Sequence, residues 1–270
     1  MFNQIKICFI KEFRYYYQNP LVLFSIFLNE LIVLLVFWYT AKAFVPNLEI
    51  FSGKAIDYFT FIVIGETALR IPSFFISIIG QNMKNATLDG VFDNHLLLKY
   101  SPQYSFFIEG LCASFFEILK VALVLFLASV FFVIDITFYA LLLAIPIQLI
   151  SILIFTGLGL ISVSILLVLK RGEAWLMRLV SVATILAGAY FPTTVLPYGL
   201  DIHLRFASPF NLLLESTRQI MHEQISYQTY FQSCFILFLW AILLSTFGYF
   251  LFSKALDLHK KSDKPFTYLT

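Results

Sequence analysis

The sequence predicts an all-α integral membrane bundle of six transmembrane helices, and three observations predict it. Hydrophobic residues make up 60% of the 270-residue chain and charged residues only 13%, too little charge to keep a soluble surface of that size dispersed. The mean hydropathy of +0.87 means that lipid replaces water as solvent over much of the surface. Apolar runs of about 20 residues or more, the length that crosses the hydrocarbon core at roughly 1.5 Å per residue, recur along the whole chain.

The first span covers residues 21–41, with Asn19-Pro20 ahead of it as a capping residue and a first-turn proline. The second covers 56–80, the third 104–134, the fourth 138–169, the fifth 174–191 and the sixth 230–253. An even number of crossings puts both termini on one side. Twelve of the 18 Lys and Arg residues, from Lys6 to Lys264, fall on that side, against Lys42, Lys54, Arg205 and Arg218 on the other. The positive-inside bias therefore makes both termini cytoplasmic. The first apolar run is too long for a cleavable signal peptide and lacks a small-residue cleavage site after it. A net charge of +2 gives no reason to expect nucleic acid as a partner.

Three pieces do not read as spans. In residues 1–18, Phe2, Ile5, Phe9, Phe13 and Tyr16 share a narrow helical arc, while Asn3, Gln4, Lys11, Arg14 and Gln18 lie opposite, with Ile7 the one exception. That is the pattern of an interfacial helix with Lys11 and Arg14 toward lipid phosphates. In residues 84–101, Thr87 can cap a short cytosolic helix on which Leu88, Val91, Phe92, His95 and Leu96 recur at helical spacing, before Ser101-Pro102 ends it. Its apolar stripe needs either the bilayer surface or a partner subunit. In residues 192–229, Pro192, Pro197 and Pro209 divide apolar runs too short to cross. Two short helices, about 197–206 and 209–222, would dip into the outer leaflet and return. Irregular backbone at that depth has to be buried in protein or line a wet cavity, which suits an outer cap or gate.

Charged side chains at membrane depth cost roughly 2.5–3.5 kcal/mol each and face a bundle interior or water. Glu66 and Arg70 lie four apart, and Glu117 and Lys120 three apart, so each pair shares a helix face. Either the pairs neutralise themselves and fix packing, or they line a polar translocation path. Glu30 has no basic partner nearby in sequence and is expected to face another helix or subunit. No catalytic constellation is visible: His95, His203, His222 and His259 sit in separate segments, and HExxH, GxSxG and P-loop patterns are lacking. Cys8, Cys112 and Cys234 form neither a disulfide framework nor a metal site. The expectation is no enzyme activity, no cofactor and no metal on this chain.

The order of parts resembles the permease subunit of type-2 ABC exporters, the group that moves polysaccharides, drugs and other amphipathic molecules. Two stretches bear the resemblance. Ala86-Thr87-Leu88-Asp89, Leu96-Leu97 and Ser101-Pro102 occupy the family's GTLE-like turn, leucine pair and Ser/Thr/Pro, with Ala86 for the usual glycine and Asp89 for the usual glutamate. Phe191-Pro192, Leu196-Pro197, Ser208-Pro209 and Glu215-Ser216-Thr217-Arg218 follow its aromatic-Pro, Leu-Pro, Ser-Pro and acidic-x-x-Arg series. The resemblance implies a multi-pass protein of the bacterial cytoplasmic (inner) membrane. It also implies a homodimer of this chain paired with two copies of an ABC ATP-binding subunit, with ATP and Mg on that subunit. Thr87, Leu88, Asp89, Phe92, His95 and Lys99 would form the coupling helix, and Pro192, Pro197, Pro209, Glu215 and Arg218 the extracellular gate. The implied cargo is amphipathic or lipid-linked, a lipid-linked glycan ahead of a small drug-like molecule. Two other classes fit the same composition: a secondary transporter that uses Glu66, Arg70, Glu117 and Lys120, and a non-transporting membrane assembly factor.

Overall fold

The computed structural model describes residues 2–44, 47–51, 54–88, 102–132, 134, 137–169, 173–193, 208–222 and 225–261. Its elements are α1 (Phe2–Gln18), α2 (Pro20–Phe44), a hairpin of β1 (Asn47–Phe51) and β2 (Lys54–Asp57), α3 (Tyr58–Leu88), α4 (Pro102–Phe132), α5 (Phe138–Leu169), α6 (Glu173–Leu186), α7 (Pro209–Met221) and α8 (Tyr227–Lys261). Among the described residues, five helices, α2, α3, α4, α5 and α8, are long and apolar enough to cross a membrane, so the chain has the character of a helical membrane protein.

Asn19 separates the first two helices by serving both. Its side-chain amide donates to the Tyr15 carbonyl at 2.9 Å and its own carbonyl accepts from Val22 at 2.9 Å, with Pro20 in the first turn of α2. The Asn19 side chain thus caps the end of α1, not the start of α2. The aromatic arc of α1 is shared between protein and surroundings. Phe9 and Tyr16 meet Phe116 of α4 at 5.6 and 4.9 Å between ring centroids, whereas Phe13 stays exposed. Cys8 lies on the same packed side, where burial raises its thiol above the ordinary range and leaves it a poor nucleophile.

The hairpin pairs Asn47 with Asp57 in antiparallel register. It takes up residues that the sequence assigns to a loop and the start of the second span, so α3 begins at Tyr58. At its other end α3 runs on to Leu88, well past the expected limit of residue 80. The reason is a continuous buried stripe: Ile79 and Met83 are fully buried and Ala86 nearly so, and alanine is the strongest helix former. Thr87 therefore lies in the last turn of α3.

The bundle centres on α3 and α5, whose inward sides, with α7 and α8, form the main core. Pro72 lacks the N–H that would bond the Ala68 carbonyl one turn back. Gln148 of α5 donates its side-chain N–H to that carbonyl at 3.1 Å, so the lost helical bond becomes an interhelical one. A second cluster joins α2, α3 and α4 through Leu34, Phe59, Val63 and Leu127, with Trp38 edge-on to Phe59 at 5.2 Å. Near the end of α2, Trp38 is packed inward and Tyr39 is exposed.

The expected fifth span, 174–191, contains a shorter helix. At 14 residues α6 is roughly 21 Å long. It stops because the next residues form a Schellman turn: Gly188 N–H donates to Ile185 O at 2.9 Å and Ala189 N–H to Thr184 O at 3.4 Å, with Gly188 at φ +86°. After Ser208, α7 opens on Pro209 as expected and closes with the His222 N–H donating to Arg218 O at 3.0 Å. Its 13 residues are too few to cross a bilayer, yet ten of them are buried among α3, α5, α6 and α8. Phe210 at its start packs edge-on against Phe155, midway along α5, at 4.7 Å.

Candidate functional site

The charges of the spans converge between α2, α3 and α4. Glu30 faces another helix as expected, and that helix is α3. The Arg70 guanidinium clasps both Glu30 oxygens, with Nη1 to Oε2 at 2.7 Å and Nη2 to Oε1. Such a two-pronged match fixes geometry as well as charge. Nε of Arg70 donates to Glu117 at 2.7 Å, and Lys120 donates to the second Glu117 oxygen at 2.8 Å. The result is a chain of alternating sign, Glu30–Arg70–Glu117–Lys120, with both carboxylates buried. The Glu117–Lys120 pair exists as the spacing predicts. The Glu66–Arg70 pairing does not describe where the guanidinium goes, because a long side chain on α3 reaches two neighbouring helices.

Glu66, one turn before Arg70, instead faces the same space as Tyr190. Glu66 and Tyr190 border a cavity of about 350 Å³ between α3, α4 and α6, together with Ser73, Phe74, Thr184 and the Arg70–Glu117 link. Tyr190 was not legible as a member of this site; the signal for it was a lone aromatic hydroxyl at the end of an apolar run. On the other side of α3, an apolar groove of about 490 Å³ runs between α3, α4 and α5, reaching Thr217 and Met221 of α7.

Arg218 forms a second polar centre. It is buried, and its guanidinium donates to Gly188 O at 2.9 Å, Ala189 O at 3.0 Å and Phe61 O at 3.3 Å, while lying 3.4 Å above the Phe61 ring. The three carbonyls come from the turn after α6 and the first turn of α3, so one side chain ties α7 to both. Gly65 makes room for this: a Cβ there would come within 2.6 Å of Arg218 Nη2 and of Ala189 O. Lysine cannot supply the same planar set of donors. We therefore expect Arg218→Lys to lower folding stability by about 2 kcal/mol or more, the worth of charged hydrogen bonds lost in a buried site. Thermal unfolding of the purified full chain measures this, and an unchanged midpoint would contradict the clamp.

The remaining expected residues divide by position. Lys11 and Arg14 are exposed on α1. Pro192 and Glu215 are half-buried, and Pro209 is buried at the head of α7. Thr87 and Leu88 end α3, whereas Asp89, Phe92, His95, Lys99 and Pro197 lie outside the described residues. Among the described residues, no group of three or more His, Cys, Asp or Glu side chains could hold a metal ion. No protein-family model matches the chain, and no curated protein matches it.

Proposed function

We propose that this chain is the membrane-spanning permease subunit of an ATP-driven type-2 ABC exporter. The observation that supports it most is α7, a helix too short to cross but buried within a bundle of long apolar helices, held by Arg218 to the turn after α6. A short outer helix of this kind belongs to a path that is capped on one side. On this reading α6 and the residues after it make the fifth of six crossings, both termini are cytoplasmic, and the membrane is the bacterial inner membrane. Two copies of the chain pair with two ATP-binding subunits, which hold ATP and Mg.

Residues 84–101 would pass the motion of the ATPase into α3, which is continuous as far as Leu88. An energy source shifts a conformational equilibrium only through contacts that differ between states, and a helix continuous from Leu88 to the Arg70 network would transmit such a difference. The cargo would be amphipathic or lipid-linked, a lipid-linked glycan ahead of a small drug-like molecule. The second reading, a secondary transporter, draws on the cavity at Glu66.

Purification of the tagged chain from its native membranes tests the first reading. An ABC ATPase is expected to come down in stoichiometric amount, and its absence would end the exporter proposal. With the complex in hand, Asp89→Ala and Phe92→Ala are expected to uncouple ATP hydrolysis from transport. Unchanged rates of both would remove the coupling assignment while leaving the subunit assignment intact.

A further inference from the structure

We propose that the cavity beside Glu66 binds an organic ammonium ion, with the Glu66 carboxylate as its counter-ion. The first ground is charge. Among the described residues, five ionisable side chains meet at this level: the carboxylates Glu30, Glu66 and Glu117 and the cations Arg70 and Lys120. Both cations are already bonded to Glu30 and Glu117. Arg70 borders the cavity, but Nε, Nη1 and Nη2 all point into those two carboxylates. Glu66 is therefore the carboxylate left without a cation, and it borders the cavity beside the Tyr190 phenol, a group that brings no positive charge. An uncompensated carboxylate between membrane helices is costly, and a bound cation offsets that cost.

The second ground is the shape and chemistry of the space. A volume of about 350 Å³ lies in the range of small-molecule sites. Phe74 and Tyr190 bring aromatic rings to the wall, and Leu69, Val180 and Ile185 bring apolar surface. Aromatic faces beside a carboxylate suit a weakly hydrated alkylammonium, which gains from cation–π contact and from apolar burial together. A small hard metal ion would need several oxygen ligands at once, and among the described residues Glu66 is the one carboxylate here not already committed to a cation. The site does not depend on the exporter reading, since neither an ATPase nor the coupling segment enters it.

Radiolabelled tetraethylammonium, measured on the full-length protein in lipid nanodiscs, tests the proposal. Saturable binding is expected, weakened at least about tenfold by Glu66→Gln, since a desolvated charge pair loses one partner. Glu66→Asp should keep most of the affinity, and Phe74→Leu should weaken it about two- to fivefold through the lost ring. A wild-type protein also gives an answer without any variant: tetraethylammonium should protect Glu66, and not the exposed Asp257, from carbodiimide coupling read by peptide mass spectrometry. Equal affinity in the Glu66→Gln protein, no saturable binding to the wild type, no protection of Glu66, or displacement by millimolar sodium would each overturn it.

Discussion

Replacing Arg70 with methionine is expected to unfold or severely destabilise the protein, and replacing Glu30 with glutamine in the same chain should restore much of the loss. Arg70 is the shared partner of two buried carboxylates, clasping Glu30 and donating to Glu117 at 2.7 Å. Methionine preserves most of the apolar stem and removes the charge, leaving Glu30, only 3% exposed, without a cation. Breaking a buried pair from one side costs about 3–5 kcal/mol, because the other charge stays behind. In a chain of this size that is a fall of roughly 10 °C in the unfolding midpoint. Glu117 keeps Lys120 at 2.8 Å and is the lesser casualty. The Arg70→Met/Glu30→Gln protein has the same formal charge as the wild type, with a neutral amide where the carboxylate was. Thermal unfolding of the two single variants and the double variant gives the coupling energy directly. Simple additivity, with the double variant as unstable as the sum of its parts, would show that Arg70 acts through something other than Glu30.

The long helices are legible because lipid imposes a length and a composition that no soluble helix needs. Phe138–Leu169 matches its expected limits, and α2 departs by three residues at most. Pro209 is legible as a helix start because its missing N–H and fixed φ suit the first turn and little else. Local rules fail where the decisive partner is distant in sequence. The second span reads as ending at residue 80, but the burial of Met83 and Ala86 against the core carries α3 on to Leu88. Glu66 has the spacing of an ion pair with Arg70, but two carboxylates on other helices compete for the same guanidinium and win it. Glu30 is the instructive contrast: lacking a partner on its own helix, it had to find one elsewhere. Arg218 reads as an outer charge and proves to be a buried clamp, because its acceptors are backbone carbonyls that leave no mark on composition. The β1–β2 hairpin is too short for its alternation to stand out from a loop.

Gly157→Ala is expected to destabilise the protein, although the same change in an open helix position would stabilise it. Alanine in place of a helical glycine gains about 0.5–1 kcal/mol from reduced freedom of the unfolded chain. At residue 157 the added methyl group meets backbone: the Leu244 carbonyl oxygen lies inside any permitted contact distance and the Ser245 nitrogen at 2.7 Å. Gly248 answers from the facing helix, where a Cβ would press on the Gly157 carbonyl. The two glycines let α5 and α8 approach backbone to backbone, the small-residue contact by which membrane helices associate without help from water. Their approach also brings the Ser245 hydroxyl to the Leu153 carbonyl at 2.9 Å, a bond that lengthens as soon as the helices part. Since backbone cannot rotate out of the way as a side chain does, the helices must separate. Overpacking of that kind costs about 1–3 kcal/mol, which exceeds the gain from alanine and reverses the sign. Gly159 supplies the control two residues away. A Cβ there meets the Ile79 side chain, Cδ1 at 2.8 Å and Cβ at 3.3 Å, and no backbone, so Gly159→Ala should cost less than Gly157→Ala. Unfolding midpoints of the two variants in the same detergent decide it, and a Gly157→Ala protein at least as stable as the wild type would mean that α5 and α8 do not pack as closely as their glycines allow.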